Sequence, residues 1–254
     1  MKVGFIGMGE IAEALVKGIV GNGHEISISR RNSVRAERLS QAHKEIVCCS
    51  NEEEVVSNSD IIFVCLMSPV AEQVLPKLRF KDHHHIISVM ANTSRKQLMD
   101  LCFPSNKIYI TIPLPFIAKG GCPLPVFPSC SALDHLYGGN NSIIVVSCAE
   151  DIPAYFAISA TLSPIFKLFE VAADWLADKT GDNLSAEIYV TQLFKGYLDF
   201  MPNDERERFQ NALKSLSTEG GLNSTLRAFM SKNDTFKTFE DGLDSLRQRL
   251  GITN

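Results

Sequence analysis

Apolar and polar positions along the first thirty residues predict a strand, a helix and a second strand. Residues Lys2–Ile6 form a short apolar run, residues 10–20 carry apolar side chains at helical spacing, and residues 26–29 form a second apolar run. The turn after the first strand reads Gly7-Met8-Gly9-Glu10-Ile11-Ala12. This Gly-x-Gly-x-x-Ala pattern, placed between a strand and a helix, is typical of dinucleotide-binding units.

The same alternation of apolar runs with amphipathic segments continues to about residue 171 and predicts a parallel sheet. Several of the runs are uninterrupted, as in strands that are buried on both faces. The predicted fold class is therefore α/β, with a doubly wound Rossmann-type parallel sheet. Residues 113–128 are rich in Pro and Gly and are predicted to be irregular. The further predicted strands cover residues 45–49, 61–66, 85–90, 107–112, 142–148 and 166–171.

After residue 171 the pattern changes to helical periodicity alone. The sequence therefore predicts two domains, a Rossmann domain at residues 1–171 and an all-helical domain at residues 172–254. The predicted helices of the second domain cover residues 186–201, 205–216, 222–230 and 236–250.

The glycine turn has a definite physical role in such a unit. The first glycine permits the tight bend, the second lets a pyrophosphate approach the backbone, and the small Ala12 lets the helix lie close to the strand. The pyrophosphate then meets the free amides and the positive end of the helix dipole. The residues expected to contact the cofactor here are Gly7, Met8, Gly9, Glu10 and Ile11.

The end of the second strand predicts which dinucleotide is bound. An NAD site presents a carboxylate to the ribose 2′-hydroxyl at this point, whereas this chain has Ser29, Arg30, Arg31 and Asn32. Guanidinium groups and a hydroxyl can bind a 2′-phosphate through charge-assisted hydrogen bonds. NADP(H) is therefore the predicted cofactor, and the alternative is a solvated basic loop that opens the next helix.

Composition narrows the possible partners. The 254 residues are 45% hydrophobic and carry a formal net charge of −4, so no basic surface suited to nucleic acid or an anionic membrane is expected. The chain opens directly into a strand without the pattern of a signal peptide, and a soluble cytoplasmic protein is expected. The seven cysteines show no zinc spacing, and the adjacent histidines at 83–85 point in different directions, so no metal site is predicted.

Four local strings carry a resemblance to a known family. They are residues 3–15, residues 59–64, residues 86–91, and Thr218-Glu219-Gly220-Gly221 in the helical part. In these strings and in the order of its elements, essentially the whole chain resembles pyrroline-5-carboxylate reductase. The resemblance implies an NADPH-dependent reductase of a small cyclic imine, pyrroline-5-carboxylate to proline, that forms a homodimer or larger homo-oligomer through its C-terminal domain.

The resemblance also implies roles for individual positions. Asn51 is similar to a contact near the adenosine, and the residues after two central strands would hold the nicotinamide and its ribose. Thr218, Gly220, Gly221 and Asn223 resemble the loop that binds the substrate carboxylate. A hydroxyl of Thr218, Ser224 or Thr225 would assist protonation of the imine nitrogen. The implied nicotinamide-side residues are Cys65, Leu66, Met67, Ser68, Val89, Met90 and Ala91.

The chain departs from the family pattern at several of these places. Met67 replaces the lysine of the usual Val-Lys-Pro, and Glu219 replaces the proline of the carboxylate loop. Glu219 would repel an anionic substrate if it pointed into that loop. Two other functions stay open: a β-hydroxyacid-type NADP dehydrogenase that uses Lys195, and a catalytically silent NADP-binding sensor or partner protein.

Overall fold

The protein is described by a computed structural model that covers residues 1–30, 33–202 and 206–252. The chain forms two compact units. The first comprises Met1–Phe156 with Leu250–Ile252, and the second comprises Ala157–Arg249.

An eight-stranded sheet organises the first unit and confirms the predicted fold class. The strand order is β3-β2-β1-β4-β5-β6-β7-β8, and the first six strands are parallel. Strand β7 runs antiparallel to β6, and β8 runs parallel to β7. The strands are β1 (Lys2–Ile6), β2 (Glu25–Ser29), β3 (Ile46–Cys49), β4 (Ile61–Val64), β5 (His85–Ser88), β6 (Lys107–Thr111), β7 (Pro123–Phe127) and β8 (Ser142–Val145).

Helices cover the sheet and divide its core into two clusters. Alternate residues of β4 point to opposite faces, so Phe63 packs in one cluster and Ile62 in the other, and both are fully buried. The helices that begin in this unit are α1 (Glu10–Ile19), α2 (Ser33–Ala42), α3 (Glu52–Ser57), α4 (Ser68–Val74), α5 (Arg95–Leu101), α6 (Ser131–Tyr137) and α7 (Ile152–Ser159).

Part of the segment that was predicted to be irregular is the strand β7. Pro123 and Pro125 conceal its alternation, because proline is unusual in a strand interior. Leu124 and Val126 are fully buried in one core cluster, whereas Phe127 packs against the other cluster, which is the alternation of faces that a strand requires.

The predicted last strand at residues 166–171 is wrong, because these residues lie inside a long helix, α8 (Leu162–Thr180). The apolar run continues at helical spacing to Ala173 and Ala177, which are buried, and short apolar runs do not distinguish a strand from a helix. The predicted domain boundary at residues 171 and 172 also falls inside this helix.

The second unit is helical, as predicted. Gly181 ends α8 in the left-handed region at φ 78°, and the Asp182 side chain caps the next helix by accepting the Ser185 N–H. Between these two helices, Phe169 stacks on Phe194 with 4.4 Å between the ring centroids. The remaining helices are α9 (Asn183–Phe200), α10 (Arg208–Ser215), α11 (Leu222–Lys232), α12 (Thr235–Asp244) and α13 (Arg247–Leu250).

One helical stretch, Ala149–Thr180, contains a window of mean hydropathy 1.4 that is long and apolar enough to cross a membrane. Length and composition are the only grounds for that assignment. The stretch also carries exposed charges, including the Lys167–Glu170 ion pair, and one such helix is weak evidence for a membrane span.

Candidate functional site

The carboxyl ends of β1, β4 and β5 lie side by side, and this edge gathers most of the predicted cofactor residues. Ile6 pairs with Val64, and Val64 pairs with Ser88, so the three loops that follow these strands start at the same level. Ligands of open α/β sheets bind outside this edge.

Gly7 forms the bend after β1, and only glycine fits there. Its φ is +92°, and a Cβ at this position would lie 2.5 Å from the carbonyl oxygen of Cys65. Its N–H donates to Ser29 Oγ at 2.9 Å, which ties the turn to the end of β2. The turn is therefore held by its neighbours on both sides.

Gly9 leaves space where the other glycine does not. Gly9 is the N-cap residue of α1, and no side chain caps this helix. A Cβ added at Gly9 would have no other atom within 4 Å, so the space in front of the helix is open. The amides of the first helical turn are thus available to an anion, and a dinucleotide pyrophosphate fits this arrangement. Glu10 is exposed and Ile11 half-buried at this turn, whereas the Met8 side chain packs in the core.

The residues predicted to bind a 2′-phosphate differ in their accessibility. Ser29 is 0% exposed and accepts the Gly7 N–H, so its hydroxyl supports the turn. Arg30 is exposed and pairs with Glu37 of α2 at 2.8 Å, and this hydrogen bond and the Glu37 charge raise the pKa of Arg30. Arg31 and Asn32 lie outside the described residues.

A buried carboxylate that sequence reasoning missed lies between α1 and α2. Glu13 accepts from Lys17 at 2.7 Å and from Arg35 at 3.2 Å, and it also bonds Arg38. Burial raises the pKa of Glu13, but the Lys17 hydrogen bond and the three positive charges outweigh burial and lower it. Only the Glu13–Lys17 spacing of four residues was visible in the sequence, because α2 meets Glu13 through the fold.

The loop after β4 is half-buried and ends in an exposed side chain. Burial raises the pKa of the Cys65 thiol to about 12, which favours the protonated thiol. Leu66 is half-buried, and Met67, which stands where the related family has lysine, is 76% exposed. Ser68 Oγ lies 2.8 Å from Thr93 Oγ1 in the loop after β5.

The loop after β5 is held by its own hydroxyls. The N–H of Met90 donates to the buried Ser88 Oγ at 3.2 Å, and the Met90 side chain is buried. Val89 is half-buried and Ala91 is exposed. Thr93 is another residue that sequence reasoning missed, because a single threonine in a polar loop gives no signal of its partner.

Asn51 supports a helix end near the adenosine side that the resemblance implies. Its Oδ1 accepts the Glu54 N–H at 2.9 Å and caps α3. Its Nδ2 lies 3.3 Å from Ser50 Oγ. The side-chain oxygen of Asn51 is therefore already engaged with the helix that it caps.

The predicted substrate loop lies in the helical unit, at the start of α11. Gly220 has a φ of +70°, and Gly221 is the N-cap residue of α11. Ser224 Oγ lies 2.8 Å from the carbonyl oxygens of both Thr218 and Gly221, and Thr225 Oγ1 donates to Gly221 at 3.0 Å. The hydroxyl protons of Ser224 and Thr225 are thus committed to backbone carbonyls.

The charged and polar side chains around this loop are accessible. Thr218, Glu219 and Asn223 are exposed. Arg227 of α11 donates to Ser217 Oγ at 2.6 Å and to the Leu213 carbonyl at 3.2 Å, which holds the segment that precedes the loop.

Lys195, the alternative catalytic lysine, lies on α9 and faces Asp199 at 3.8 Å in an exposed ion pair.

Comparison with known proteins finds a family match for the N-terminal part of the chain. Residues 2–92 match the family described as NADP oxidoreductase, coenzyme F420-dependent. A segment of 106 residues is 28% identical to ComE operon protein 4 of Bacillus subtilis (strain 168). That segment covers 39% of this chain and only 38% of the curated relative's length.

Solved structures share the whole fold. The pyrroline-5-carboxylate reductase of Streptococcus pyogenes has a TM-score of 0.84 at 18% identity, with 98% of each chain covered. The pyrroline carboxylate reductase of Plasmodium falciparum, solved with NADP bound, has a TM-score of 0.82 at 17% identity, with 98% of this chain and 97% of that chain covered.

The family match concerns the cofactor site, and the solved structures concern the whole fold. The matched family agrees with the predicted NADP(H) at the glycine turn. The chain has the fold of the pyrroline-5-carboxylate reductases from end to end, so the resemblance is confirmed for the fold.

Proposed function

We propose that this protein is an NADPH-dependent reductase of a small cyclic imine, and that its substrate is pyrroline-5-carboxylate, which it reduces to proline. The observation that carries the proposal is the open space at Gly9 beside the uncapped start of α1, at the carboxyl edge of the sheet. A pyrophosphate needs that space and those amides. The shared fold supports the same activity class.

The cofactor supplies the hydride when it is bound. The protein's own residues bind and orient the cofactor and the substrate, and they donate a proton to the imine nitrogen. The substrate carbon gains a C–H bond, the electrons of the C=N bond move to nitrogen, and the nitrogen takes a proton. The Thr218 hydroxyl is the best donor among the three predicted residues, because Ser224 and Thr225 donate to backbone carbonyls.

Electrostatics decides whether an anionic substrate fits the loop at Thr218. Gly221 is the N-cap residue of α11 and no side chain caps this helix, so its amino end favours a carboxylate. The Gly221 N–H itself donates to the Thr218 carbonyl at 2.9 Å. Glu219 opposes such a ligand, but it is exposed and can remain turned to solvent. Asn223 adds an amide that can bond the same carboxylate.

The deciding experiment measures NADPH consumption on addition of pyrroline-5-carboxylate. Turnover supports the imine reductase. Turnover only with a hydroxyacid and NADP would favour the dehydrogenase, although the exposed ion pair of Lys195 argues against that lysine as its base. Tight NADPH binding without turnover on any imine would favour a silent binding protein.

The cofactor site itself is tested with Gly9→Asp. A carboxylate would then stand where the pyrophosphate is expected, so NADPH should bind at least about 100-fold more weakly, roughly 2.7 kcal/mol. Titration of NADPH measures this. Gly139→Asp is the matched control, because its side-chain position also has no neighbour within 4 Å. Equal NADPH affinity of the Gly9→Asp variant and the natural protein would contradict the site.

We also propose that the protein is a cytoplasmic homodimer or larger homo-oligomer whose copies meet through the helical unit. The seven cysteines are free thiols, as a reducing compartment favours. Helices α8 and α9 expose large apolar side chains that a second copy can cover. These exposed residues include Phe166, Leu168, Val171, Trp175, Leu184, Ile188, Leu193, Leu198 and Phe200.

A further inference from the structure

Two hydroxyl groups join the loops that follow β4 and β5. Ser68 begins α4 after the β4 loop, and Thr93 directly precedes Ser94, the N-cap residue of α5. Their oxygens are 2.8 Å apart, and either atom can be the donor. Thr93 is only 7% exposed, while Ser68 is half-buried and reachable from the edge of the sheet.

The pair lies beyond the point where backbone pairing of the two strands stops. The last backbone hydrogen bond there runs from the Val89 N–H to the Val64 carbonyl at 3.2 Å. The Ser68–Thr93 bond spans the loops further out and therefore fixes their separation. On the other side, Gly7 packs against the Cys65 carbonyl, so the loops after β1, β4 and β5 form one connected surface.

Two hydroxyls that share one hydrogen bond use only one of their two protons. The other O–H remains able to donate. When Thr93 donates its proton to Ser68 Oγ, the Ser68 hydroxyl keeps its own proton free to donate elsewhere. Ser68 is the more accessible of the two residues, because Thr93 is buried. The accessible group is then a fixed donor at the edge where a ligand would lie.

We propose that Thr93 is a positioning residue, which holds Ser68 so that the Ser68 hydroxyl donates to an oxygen of the nicotinamide riboside half of the cofactor. This inference rests on the proposed function, since it assumes that a dinucleotide extends from the Gly9 turn across the loops after β4 and β5. It assigns Thr93 a role in a part of the site that the glycine turn does not reach.

The test uses two ligands that differ in that half. NADPH contains the nicotinamide riboside, whereas adenosine 2′,5′-bisphosphate lacks it but keeps the adenosine and the 2′-phosphate. Thr93→Val removes the hydroxyl at nearly constant volume. It should weaken NADPH binding about fivefold, roughly 1 kcal/mol, while adenosine 2′,5′-bisphosphate binds as it does to the natural protein.

Further variants separate positioning from packing. Thr93→Ser restores the hydroxyl and should return NADPH affinity to within about twofold of the natural protein, that is within roughly 0.4 kcal/mol. Ser68→Ala should weaken NADPH by a similar factor, and adding Thr93→Val to it should cost little more, because the two residues act as one unit.

The outcomes distinguish this inference from the proposed function. If the natural protein binds neither ligand, the proposed cofactor site itself is wrong. If the natural protein binds both ligands, two results for Thr93→Val would overturn the inference. One is an equal loss of affinity for both ligands, which would indicate general damage to the protein, and the other is an unchanged affinity for both. Additive losses from Ser68→Ala and Thr93→Val would also overturn it.

Discussion

The two units differ in the burial of their large apolar side chains. In the N-terminal unit, Phe5 and Phe63 are fully buried and stack at 4.9 Å. In the helical unit, Trp175 is 66% exposed and Phe200 is 81% exposed. Among the described residues, the apolar side chains that this second unit buries are mostly small: Ala157, Ala173, Ala177, Ala186, Val190 and Met201.

This difference indicates where each unit obtains its stability. The N-terminal unit has its own core on both faces of the sheet, so its folding should depend on residues within it. The helical unit leaves in solvent the side chains that normally fill a core, so its stability should depend on another surface. The proposed homo-oligomer would supply that surface.

The units also differ in their buried polar groups. Every described polar or charged residue that is buried lies in the N-terminal unit, and several of these groups fix the loops at the carboxyl edge. A rigid edge suits a site that must align a cofactor. The buried polar residues are Glu13, His24, Ser27, Ser29, Ser59, His84, Ser88, Thr93, Ser105 and Thr111.

The largest expected effect is on the core of the N-terminal unit. Phe63→Ala removes a ring that stacks on Phe5 and forms a T-shaped pair with Tyr137, with 6.0 Å between the ring centroids. The cavity should lower the free energy of unfolding by about 3–5 kcal/mol, as measured by denaturant titration.

Phe200→Ala is the matched variant in the helical unit. It removes the same ring from an exposed site, so it should change the unfolding free energy of a separated chain by less than about 0.5 kcal/mol. It should instead weaken self-association, measured as mass by light scattering against the 28.1 kDa of one chain. A comparable loss of stability in both variants, with no change in mass, would contradict the contrast between the units.

Acid should destabilise the N-terminal unit through the buried His84. Burial, followed by the positive charges of His83 and Lys81, lowers the pKa of His84 from 6.5 to about 4. The ring also accepts the Lys81 N–H at Nδ1, which requires the neutral form. The unfolded chain therefore binds the proton more readily, and stability present above pH 6.5 should be lost as the pH falls towards 4.

His84→Asn keeps a side-chain acceptor but does not titrate in this range. The free energy of unfolding of this variant, followed by denaturant titration between pH 7 and about pH 4, should fall less steeply than that of the natural protein. His83→Gln removes only a smaller cause of the low His84 pKa and should flatten the slope less than His84→Asn does, because burial is the larger cause. An identical slope for the His84→Asn variant and the natural protein would show that another group is responsible.

Much of the N-terminal unit could be predicted from the sequence because its signals are local. The run at β4 and the glycine turn each specify their own conformation, and β1 matches the predicted bounds. The strand β7 escaped prediction because two prolines concealed its alternation. The error at residues 166–171 came from an apolar run that fits a strand or a helix equally well.

The site was predicted less completely, because its side chains meet across the fold. The glycine at position 7 and its bend follow from the motif, but the use of Ser29 to hold that turn does not. The clustering of Arg35 and Arg38 at Glu13 depends on how α2 packs on α1, and nothing in the spacing of these residues shows it. The Ser68–Thr93 bond joins loops that are distant in sequence.

A smaller expected effect than that of the core variant tests whether the two units respond separately to local changes. Asp182 caps α9 by accepting the Ser185 N–H at 3.1 Å, so Asp182→Ala should cost about 1 kcal/mol. Ser94 caps α5 in the N-terminal unit through the Gln97 N–H at 3.2 Å, and Ser94→Ala should cost a similar amount. Hydrogen exchange should show faster exchange of α9 amides in the first variant and of α5 amides in the second. Faster exchange in both units from either substitution would show that the units unfold together, because the loss of one cap would then lower the stability of the whole chain.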